Sequence, residues 1–341
     1  MSGPRGDASH AAGDAALDLA FAPRLWGEFA RGSRVACARL ISTVEDRPDL
    51  VPAIRDRLVP RRRGAVRIGI TGPPGVGKST VTAALARRSI AAGHDVGVIA
   101  VDPSSPFTGG AFLGDRVRMQ GLIGDDRVFI RSMASREGHG GLSPATPYAA
   151  EVFDAFGMDR VLIETVGVGQ AELDVMSSAD LIVLVLQPGT GDVIQALKAG
   201  IIEAADLLIV NKSDLPGTDS LLDALRFLYE IRGQGDEPPP PVFTAAALQD
   251  LGMDEVFAGV ERLIAGHQDS GRFRDRRRRR LEEELRSSIQ QELWERFAAL
   301  TDARTELSTA AGELMESNRS PYPFIRAMGA RVRMEIEHES R

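Results

Sequence analysis

The sequence contains very little cysteine, since Cys37 is the only one in 341 residues. A single cysteine excludes an internal disulfide and a metal site built from several thiolates. The chain also lacks any apolar run of the roughly 18 residues that a membrane-spanning helix needs. Its first 18 residues lack the apolar core of a signal peptide. We therefore expect a cytoplasmic protein without a membrane partner and with a flexible tail at residues 1–19.

An excess of positive charge is absent as well. The chain has 41 lysines and arginines against 48 acidic residues, which gives a net charge of -7. This balance implies no general affinity for nucleic acid. An arginine run at residues 276–280 is followed by glutamates at 282–284, and this arrangement favours a solvated helix start over a nucleic-acid contact.

The pattern of apolar residues divides the chain into regions. A spacing of three to four predicts helices between residues 23 and 58, with a break at 47–49. Two more helices are predicted at 281–300 and 306–315, and their apolar stripe fits either core packing or a dimer interface. The predicted segments are a tail at 1–19, a helical extension at 20–63, a nucleotide-binding domain at 64–268 and a helical dimerisation arm at 269–341.

Strands and helices alternate between the two helical ends. The alternation predicts an α/β fold with a mostly parallel sheet, whose ligands bind at the carboxyl ends of the strands. The run at 181–186 is continuously apolar, as expected of a strand that is covered on both faces. The predicted strands are 66–70, 96–101, 128–130, 161–163, 181–186, 207–210 and one that begins at 242.

A phosphate-binding loop follows the first predicted strand. Residues 72–79 have the sequence GPPGVGKS, which fits G-x-x-x-x-G-K-[ST], and a helical pattern follows. Lys78 is expected to reach the β- and γ-phosphates of a nucleotide, and the Ser79 hydroxyl to bind Mg²⁺. The predicted loop contacts are Gly72, Pro73, Pro74, Gly75, Val76, Gly77, Lys78, Ser79 and Thr80.

A guanine-reading motif follows the sixth predicted strand. Asn211, Lys212 and Asp214 fit N-K-x-D. The Asp214 carboxylate is expected to accept hydrogen bonds from N1–H and the exocyclic amine of guanine. Adenine offers no such pair, so a buried Asp214 would be left unpaired by it. A minor guanine-contacting motif is predicted after the last strand, at Thr244, Ala245 and Ala246.

Acidic residues follow two other strands. Glu164 and Gly167 occupy the place of the Asp-x-x-G motif of phosphate-loop GTPases, where the acid serves Mg²⁺ and the glycine N–H senses the γ-phosphate. Asp102 follows the second strand and is expected near the metal.

Two glycine-containing loops carry further candidates. Asp115 and Arg118 lie in a glycine-rich segment that either swings charge onto phosphate or is an ordinary surface loop. The loop from Gln187 to Asp192 follows the fifth strand. Asp192 is expected to cap the next helix, which holds Lys198, and this capping is compatible with a switch role.

With these motifs the chain resembles the methylmalonyl-CoA mutase-associated GTPases, also called the MeaB or ArgK-type family. The resemblance covers about residues 68–214 and rests on ITGPPGVGKST, VIAVDPSSPFTGGAFLGDRVRM, IETVGVGQAE and the segment from GDVIQALKAG to NKSD. The second of these stretches is long and highly specific. The family belongs to the SIMIBI-type phosphate-loop GTPases, which have glutamate in place of the usual switch II aspartate.

The resemblance implies a homodimeric chaperone that hydrolyses GTP to GDP with Mg²⁺. Its partner would be an adenosylcobalamin-dependent acyl-CoA mutase, whose cofactor loading it gates and which it protects. By resemblance, Asp102, Asp115 and Glu164 serve the metal or the attacking water, and Arg118 approaches phosphate. Gln187, Asp192 and Lys198 belong to a third switch that responds to the mutase.

One segment departs from the family pattern, and the sequence argues against two other classes of protein. Glu137 and Pro144 stand where relatives have Arg-Gly and a basic residue, so we leave open whether methylmalonyl-CoA mutase or a related mutase is the partner. A metal-delivery GTPase would need soft ligands that one cysteine and five scattered histidines do not supply. A phosphate-loop kinase does not need N-K-x-D.

Overall fold

The computed structural model describes most of the chain as two compact units, the first ending at Arg274 and the second beginning at Asp275. The four predicted segments stay a prediction. No helix among the described residues has the length and apolar character needed to cross a membrane. The structure describes residues 22–103, 119–122, 124–135, 145–165, 175, 177–189, 201–232, 238–300, 303–317 and 319–339.

The first unit is built on a parallel sheet of seven strands in the order β3-β2-β4-β1-β5-β6-β7. All six strand pairings are parallel, so the sheet is more uniform than the mostly parallel one expected. All seven predicted strands are confirmed. They are β1 Val66–Thr71, β2 Val96–Pro103, β3 Val128–Ser135, β4 Arg160–Glu164, β5 Leu181–Leu186, β6 Leu207–Val210 and β7 Val242–Thr244.

The strands end at one edge of the sheet. Glu164, the last residue of β4, is in register with Ile70 of β1 and Ala100 of β2. On the other side of β1, Val210 of β6 is in register with Leu186 and with Thr244. The loops that follow these strands therefore start side by side, which is the condition for one ligand to touch all of them.

Helices cover both faces of this sheet. A break that the sequence pattern did not predict separates α1 from α2. Gly32 there has φ +83°, and Ser33 caps α2 by accepting a hydrogen bond from the Ala36 N–H. The helices of the first unit are α1 Pro23–Ala30, α2 Arg34–Asp46, α3 Val51–Leu58, α4 Lys78–Ala91, α5 Thr146–Phe156, α6 Ile201–Ala204, α7 Thr218–Arg232 and α8 Met253–Asp269.

The N-terminal helices α1 to α3 pack on one face of the sheet together with α5. Leu40 and the fully buried Cys37 lie in the same apolar cluster as Ile99 of β2 and Met133 of β3. A second cluster, on α4 and α8, includes Ile68 and Ile70 of β1. The helical extension is therefore part of the core of the first unit.

Two buried carboxylates of α5 fasten the N-terminal layer to β1. Asp154 Oδ1 accepts hydrogen bonds from the backbone N–H groups of Arg63 at 2.8 Å, Gly64 at 2.8 Å and Ala65 at 3.1 Å. Glu151 pairs with Arg55 at 2.9 Å. Buried charges need such partners. Asp154 fixes the peptide that leads into β1, and Glu151 ties α5 to α3.

The second unit is helical. Its helices include α10 Ala303–Ser317 and α11 Tyr322–Glu339, and α9 Arg272–Leu300 leads into it from the first unit. The sequence pattern predicted two helices in this region and missed α11, which has Pro323 in its first turn, where proline is tolerated. The arginine run lies inside α9, where Arg278 contacts Glu282 at 3.7 Å.

Candidate nucleotide-binding site

The phosphate-binding loop connects β1 to α4, and two of its glycines are required by close packing. A Cβ on Gly72 would lie 2.1 Å from the backbone oxygen of Val185 in β5. A Cβ on Gly77 would lie 2.4 Å from Asn211 Nδ2, and Gly77 has φ +95°. The loop is thus pressed against β5 and against the N-K-x-D motif, which only glycine permits.

Lys78 is the first residue of α4 and its side chain folds back over the loop. Its ammonium donates to the backbone oxygens of Gly72 at 2.7 Å and Pro73 at 2.9 Å. The side chain is buried, so these carbonyls offset the loss of water around the charge. The helix start adds backbone N–H donors and a partial positive charge, which together make an anion-binding site.

Ser79 and Glu164 meet at the carboxyl edge of the sheet. The Ser79 hydroxyl donates to Glu164 Oε1 at 2.5 Å, and both side chains are buried. They are brought together because α4 starts beside the end of β4. A hydroxyl and a carboxylate form an all-oxygen donor set, which fits the ligand preference of Mg²⁺. Beside them, the Thr165 hydroxyl donates to Thr71 Oγ1 at 3.3 Å.

The N-K-x-D motif is bonded directly to the phosphate-binding loop. The buried Asn211 donates through Nδ2 to the Val76 oxygen at 2.7 Å. Lys212 donates to the Gly75 oxygen at 2.7 Å and has φ +57°, a strained value for a residue with a Cβ. The base-reading and phosphate-reading parts of the site are therefore one connected structure.

Asp214 is exposed, which corrects the expectation of a buried carboxylate. Its Oδ2 accepts a hydrogen bond from Gln249 Nε2 at 3.2 Å. The exposure leaves both carboxylate oxygens accessible to a base. An open carboxylate can bind water, so the free protein pays no penalty for leaving Asp214 unpaired. Adenine would incur that penalty only if the bound base covered Asp214 and excluded the water.

The last loop of the sheet supplies backbone groups around the motif. The Ala245 oxygen accepts from the Ser213 N–H at 3.0 Å, and Ala245 and Ala246 are buried behind Thr244. Sequence reasoning missed Ala247, whose backbone N–H donates to Asn211 Oδ1 at 3.0 Å. A backbone donor has no sequence signature, so only the geometry could identify it.

The other predicted residues are partly or wholly outside the described part of the chain. Asp102 lies at the end of β2, in register with Ala134 of β3, and the placement of its side chain is not described. Gln187 directly follows β5 and is half-buried. Five predicted site residues lie outside the described residues, namely Asp115, Arg118, Gly167, Asp192 and Lys198.

Comparison with known proteins identifies the family. A family model described as "Methylmalonyl Co-A mutase-associated GTPase MeaB" matches residues 37–302. The chain belongs to this MeaB family. A putative GTPase of Pyrococcus abyssi is 40% identical over 84% of this chain and 87% of its own length. The GTPase ArgK of Escherichia coli is 36% identical, with 80% of this chain and 85% of that protein covered.

A solved structure has the same fold over most of both chains. The crystal structure of a protein described as a LAO/AO transport system kinase has a TM-score of 0.68 and 27% identity, covering 93% of this chain and 98% of that one. The MeaB-family chain is accordingly a phosphate-loop GTPase that binds GTP and GDP. The described residues contain no group of three or more histidine, cysteine or acidic side chains placed to hold a metal ion.

Proposed function

We propose that this GTPase is a chaperone of an adenosylcobalamin-dependent acyl-CoA mutase, and that it gates loading of the cofactor and protects the mutase. The observation that carries the proposal is the match of residues 37–302 to a family described by its association with methylmalonyl-CoA mutase. The described contacts among Lys78, Ser79, Glu164 and Asn211 support a nucleotide-driven cycle for that task.

In the proposed site, phosphate binding begins with an exchange of hydrogen bonds. Lys78 gives up the Gly72 and Pro73 oxygens, which it contacts at 2.7 and 2.9 Å, for the phosphate oxygens of GTP. Because the ammonium is already held over the loop, little order has to be created on binding. The backbone N–H groups at the start of α4 then stabilise charge that develops on the phosphates during hydrolysis.

We assign the Mg²⁺ site to Ser79 and Glu164. Both offer oxygen ligands at the start of α4 and the end of β4, and their contact at 2.5 Å places them within reach of one small ion. When bound, Mg²⁺ would neutralise charge on the β- and γ-phosphates. Glu164 thereby takes the place that aspartate has in other phosphate-loop GTPases, and Asp102 approaches the same edge from β2.

Base recognition is assigned to Asn211, Lys212 and Asp214. Asn211 fixes the motif through its bonds to Val76 and Ala247. Lys212, bonded to Gly75, lays its stem beside the position of the base. Asp214 then accepts from N1–H and the amine of guanine.

The mutase test uses single-turnover GTP hydrolysis by the full-length chain, with and without apo-methylmalonyl-CoA mutase. Intrinsic hydrolysis is expected to be slow, because position 168 is valine where Ras-type enzymes use a water-orienting glutamine. A cognate mutase should accelerate it by on the order of 10³. Lys78→Ala is the control, and it should hydrolyse GTP neither alone nor in the presence of the mutase. If neither methylmalonyl-CoA mutase nor a related acyl-CoA mutase changes the rate, the chaperone proposal is wrong.

We also propose that the chain is a homodimer through its C-terminal arm. Leu285, Ile289 and Leu293 are spaced by four residues on α9 and are 53%, 58% and 52% exposed. An apolar stripe of this kind marks a surface that another protein surface covers. A second copy of the chain offers the same stripe, as a two-fold interface requires.

A further inference from the structure

A tight turn at residues 246–251 presents one side chain to the guanine-reading aspartate. Ala246 and Leu251 exchange backbone hydrogen bonds at 3.0 and 3.3 Å across the turn. The Gln249 N–H donates to the Ala246 oxygen at 2.9 Å, which closes the inner part of the turn. Gln249 Nε2 then reaches Asp214 Oδ2 at 3.2 Å. We call residues 246–251 the guanine turn.

The guanine turn contains a strained residue. Asp250 has φ +61° and ψ +16°, in the left-handed region that residues with a Cβ rarely adopt. Such a conformation persists only where the surroundings hold it. Here Arg88 holds it, with Nη1 donating to one carboxylate oxygen of Asp250 at 2.8 Å and Nη2 to the other at 3.1 Å.

Arg88 links the guanine turn to two helices. It lies on α4, the helix that begins with Lys78, and its side chain is only 13% exposed. Its Nε donates to Asp254 in α8 at 2.7 Å. The hydrogen bonds from Arg88 hold the pKa of the Asp250 carboxyl below its ordinary value, so the pair stays charged at neutral pH. A two-pronged guanidinium–carboxylate contact fixes geometry as well as charge.

The contact between Gln249 and Asp214 has a chemical consequence for the base. An exposed carboxylate rotates freely about its Cβ–Cγ bond, and a base that needs both oxygens must first stop that rotation. The amide of Gln249 holds Oδ2 in one place. Each carboxylate oxygen has two lone pairs, so Oδ2 keeps an acceptor position for guanine. The carboxylate is thus set in advance for a two-point contact.

We propose that Gln249 is a positioning residue for guanine selection, which orients the Asp214 carboxylate from a turn held in place by the Arg88–Asp250 pair. The proposal rests on the proposed reading of guanine by Asp214. It concerns affinity and selectivity for the base, and leaves the hydrolytic groups at Lys78 and Glu164 untouched.

The experiment measures GDP and IDP binding to the full-length chain by isothermal titration. Hypoxanthine keeps N1–H but lacks the amine, so it makes one of the two contacts and gains less from an oriented carboxylate. Gln249→Ala should weaken GDP binding by about 3- to 10-fold and IDP binding less, because one directed hydrogen bond is lost. The turnover of GTP at saturation should not change.

Two substitutions at the same position separate orientation from mere packing. Gln249→Lys keeps a donor of similar length and should bind GDP as well as the wild type. Gln249→Glu places a second carboxylate beside Asp214 and should bind GDP more weakly than Gln249→Ala. If the three variants lose GDP and IDP equally, whatever their donor capacity, Gln249 only fills space and the proposal is wrong.

The role of the clamp is tested with Arg88→Met and Arg88→Lys. Both variants should lower the ratio of GDP affinity to IDP affinity. Methionine cannot donate a hydrogen bond to Asp250, and lysine cannot make the two-pronged contact. The double variant Arg88→Met/Gln249→Ala should lose no more than the stronger single variant, because both act through one contact. Fully additive losses would overturn the assignment of the clamp.

The underlying reading of guanine has its own control. Asp214→Asn should shift the preference of the chain from GDP toward XDP, because the amide presents one donor and one acceptor. If Asp214→Asn leaves the preference for GDP over XDP intact, the proposed reading of the base fails. If it reverses that preference while Gln249→Ala and Gln249→Lys match the wild type, only the role of Gln249 fails.

Discussion

Lys78 and Glu164 are both buried at the same edge of the sheet, but their hydrogen-bond partners differ. Lys78 bonds to the carbonyls of its own loop, whereas Glu164 bonds to the hydroxyl of Ser79. The first contact is made by a positive charge that phosphate attracts. The second is made by oxygen atoms that a divalent cation attracts. Substitutions at the two residues should therefore cause different defects in nucleotide binding.

Lys78→Ala is expected to weaken GTP binding by about 10²-fold or more with or without Mg²⁺, because a buried positive charge is lost from the phosphate site. Glu164→Ala is expected to retain binding in the absence of Mg²⁺ and to lose the strengthening that Mg²⁺ brings. Isothermal titration with and without Mg²⁺ measures both. Identical profiles for the two variants would contradict the assigned roles.

At the scale of elements, the sheet and its order of motifs could be predicted because apolar runs mark the strands and the motif residues lie at or directly after the ends of those runs. The run at 181–186 was predicted with both bounds as observed in β5. The break at Gly32 was missed because the apolar spacing continues across it. The Ala247 and Gln249 contacts were missed because a backbone donor and an exposed amide have no pattern of their own.

Helix α5 offers an element-scale test of how the N-terminal layer is held. Asp154 accepts three backbone N–H groups of the peptide before β1. Asp154→Ala leaves these donors without their acceptor and should lower the free energy of unfolding by about 2–4 kcal/mol. Urea unfolding measures the change. The control is Asp56→Ala, an exposed aspartate on α3, which should shift the midpoint little.

At the scale of the whole molecule, the two compact units define where the arm can be cut. Phe273 is buried in the core of the first unit, with its ring 5.4 Å from that of His267, and Arg272 contacts Asp206 at 3.8 Å. A chain ending at Arg274 keeps both anchors. We expect it to be monomeric and to bind GDP as the full chain does.

Sedimentation of the shortened and full-length chains checks this expectation. A control with Leu285→Glu and Leu293→Glu keeps the arm and removes only its apolar stripe, so it should also be monomeric. A shortened chain that still sediments as a dimer would place the interface elsewhere in the protein.

The rate at which the single cysteine reacts with a thiol reagent can report how fast the N-terminal layer opens. Cys37 lies on α2 and is fully buried in the apolar cluster between the N-terminal helices and the sheet, and burial raises the pKa of its thiol to about 12. At pH 8 only ~10⁻⁴ of the thiol is ionised, and a disulfide reagent such as Ellman's needs the thiolate. Colour should therefore appear at the rate at which the N-terminal layer detaches, with one equivalent per chain and no background in Cys37→Ala. Asp154→Ala should speed this release, whereas immediate labelling of the folded chain would mean that the layer is open in solution.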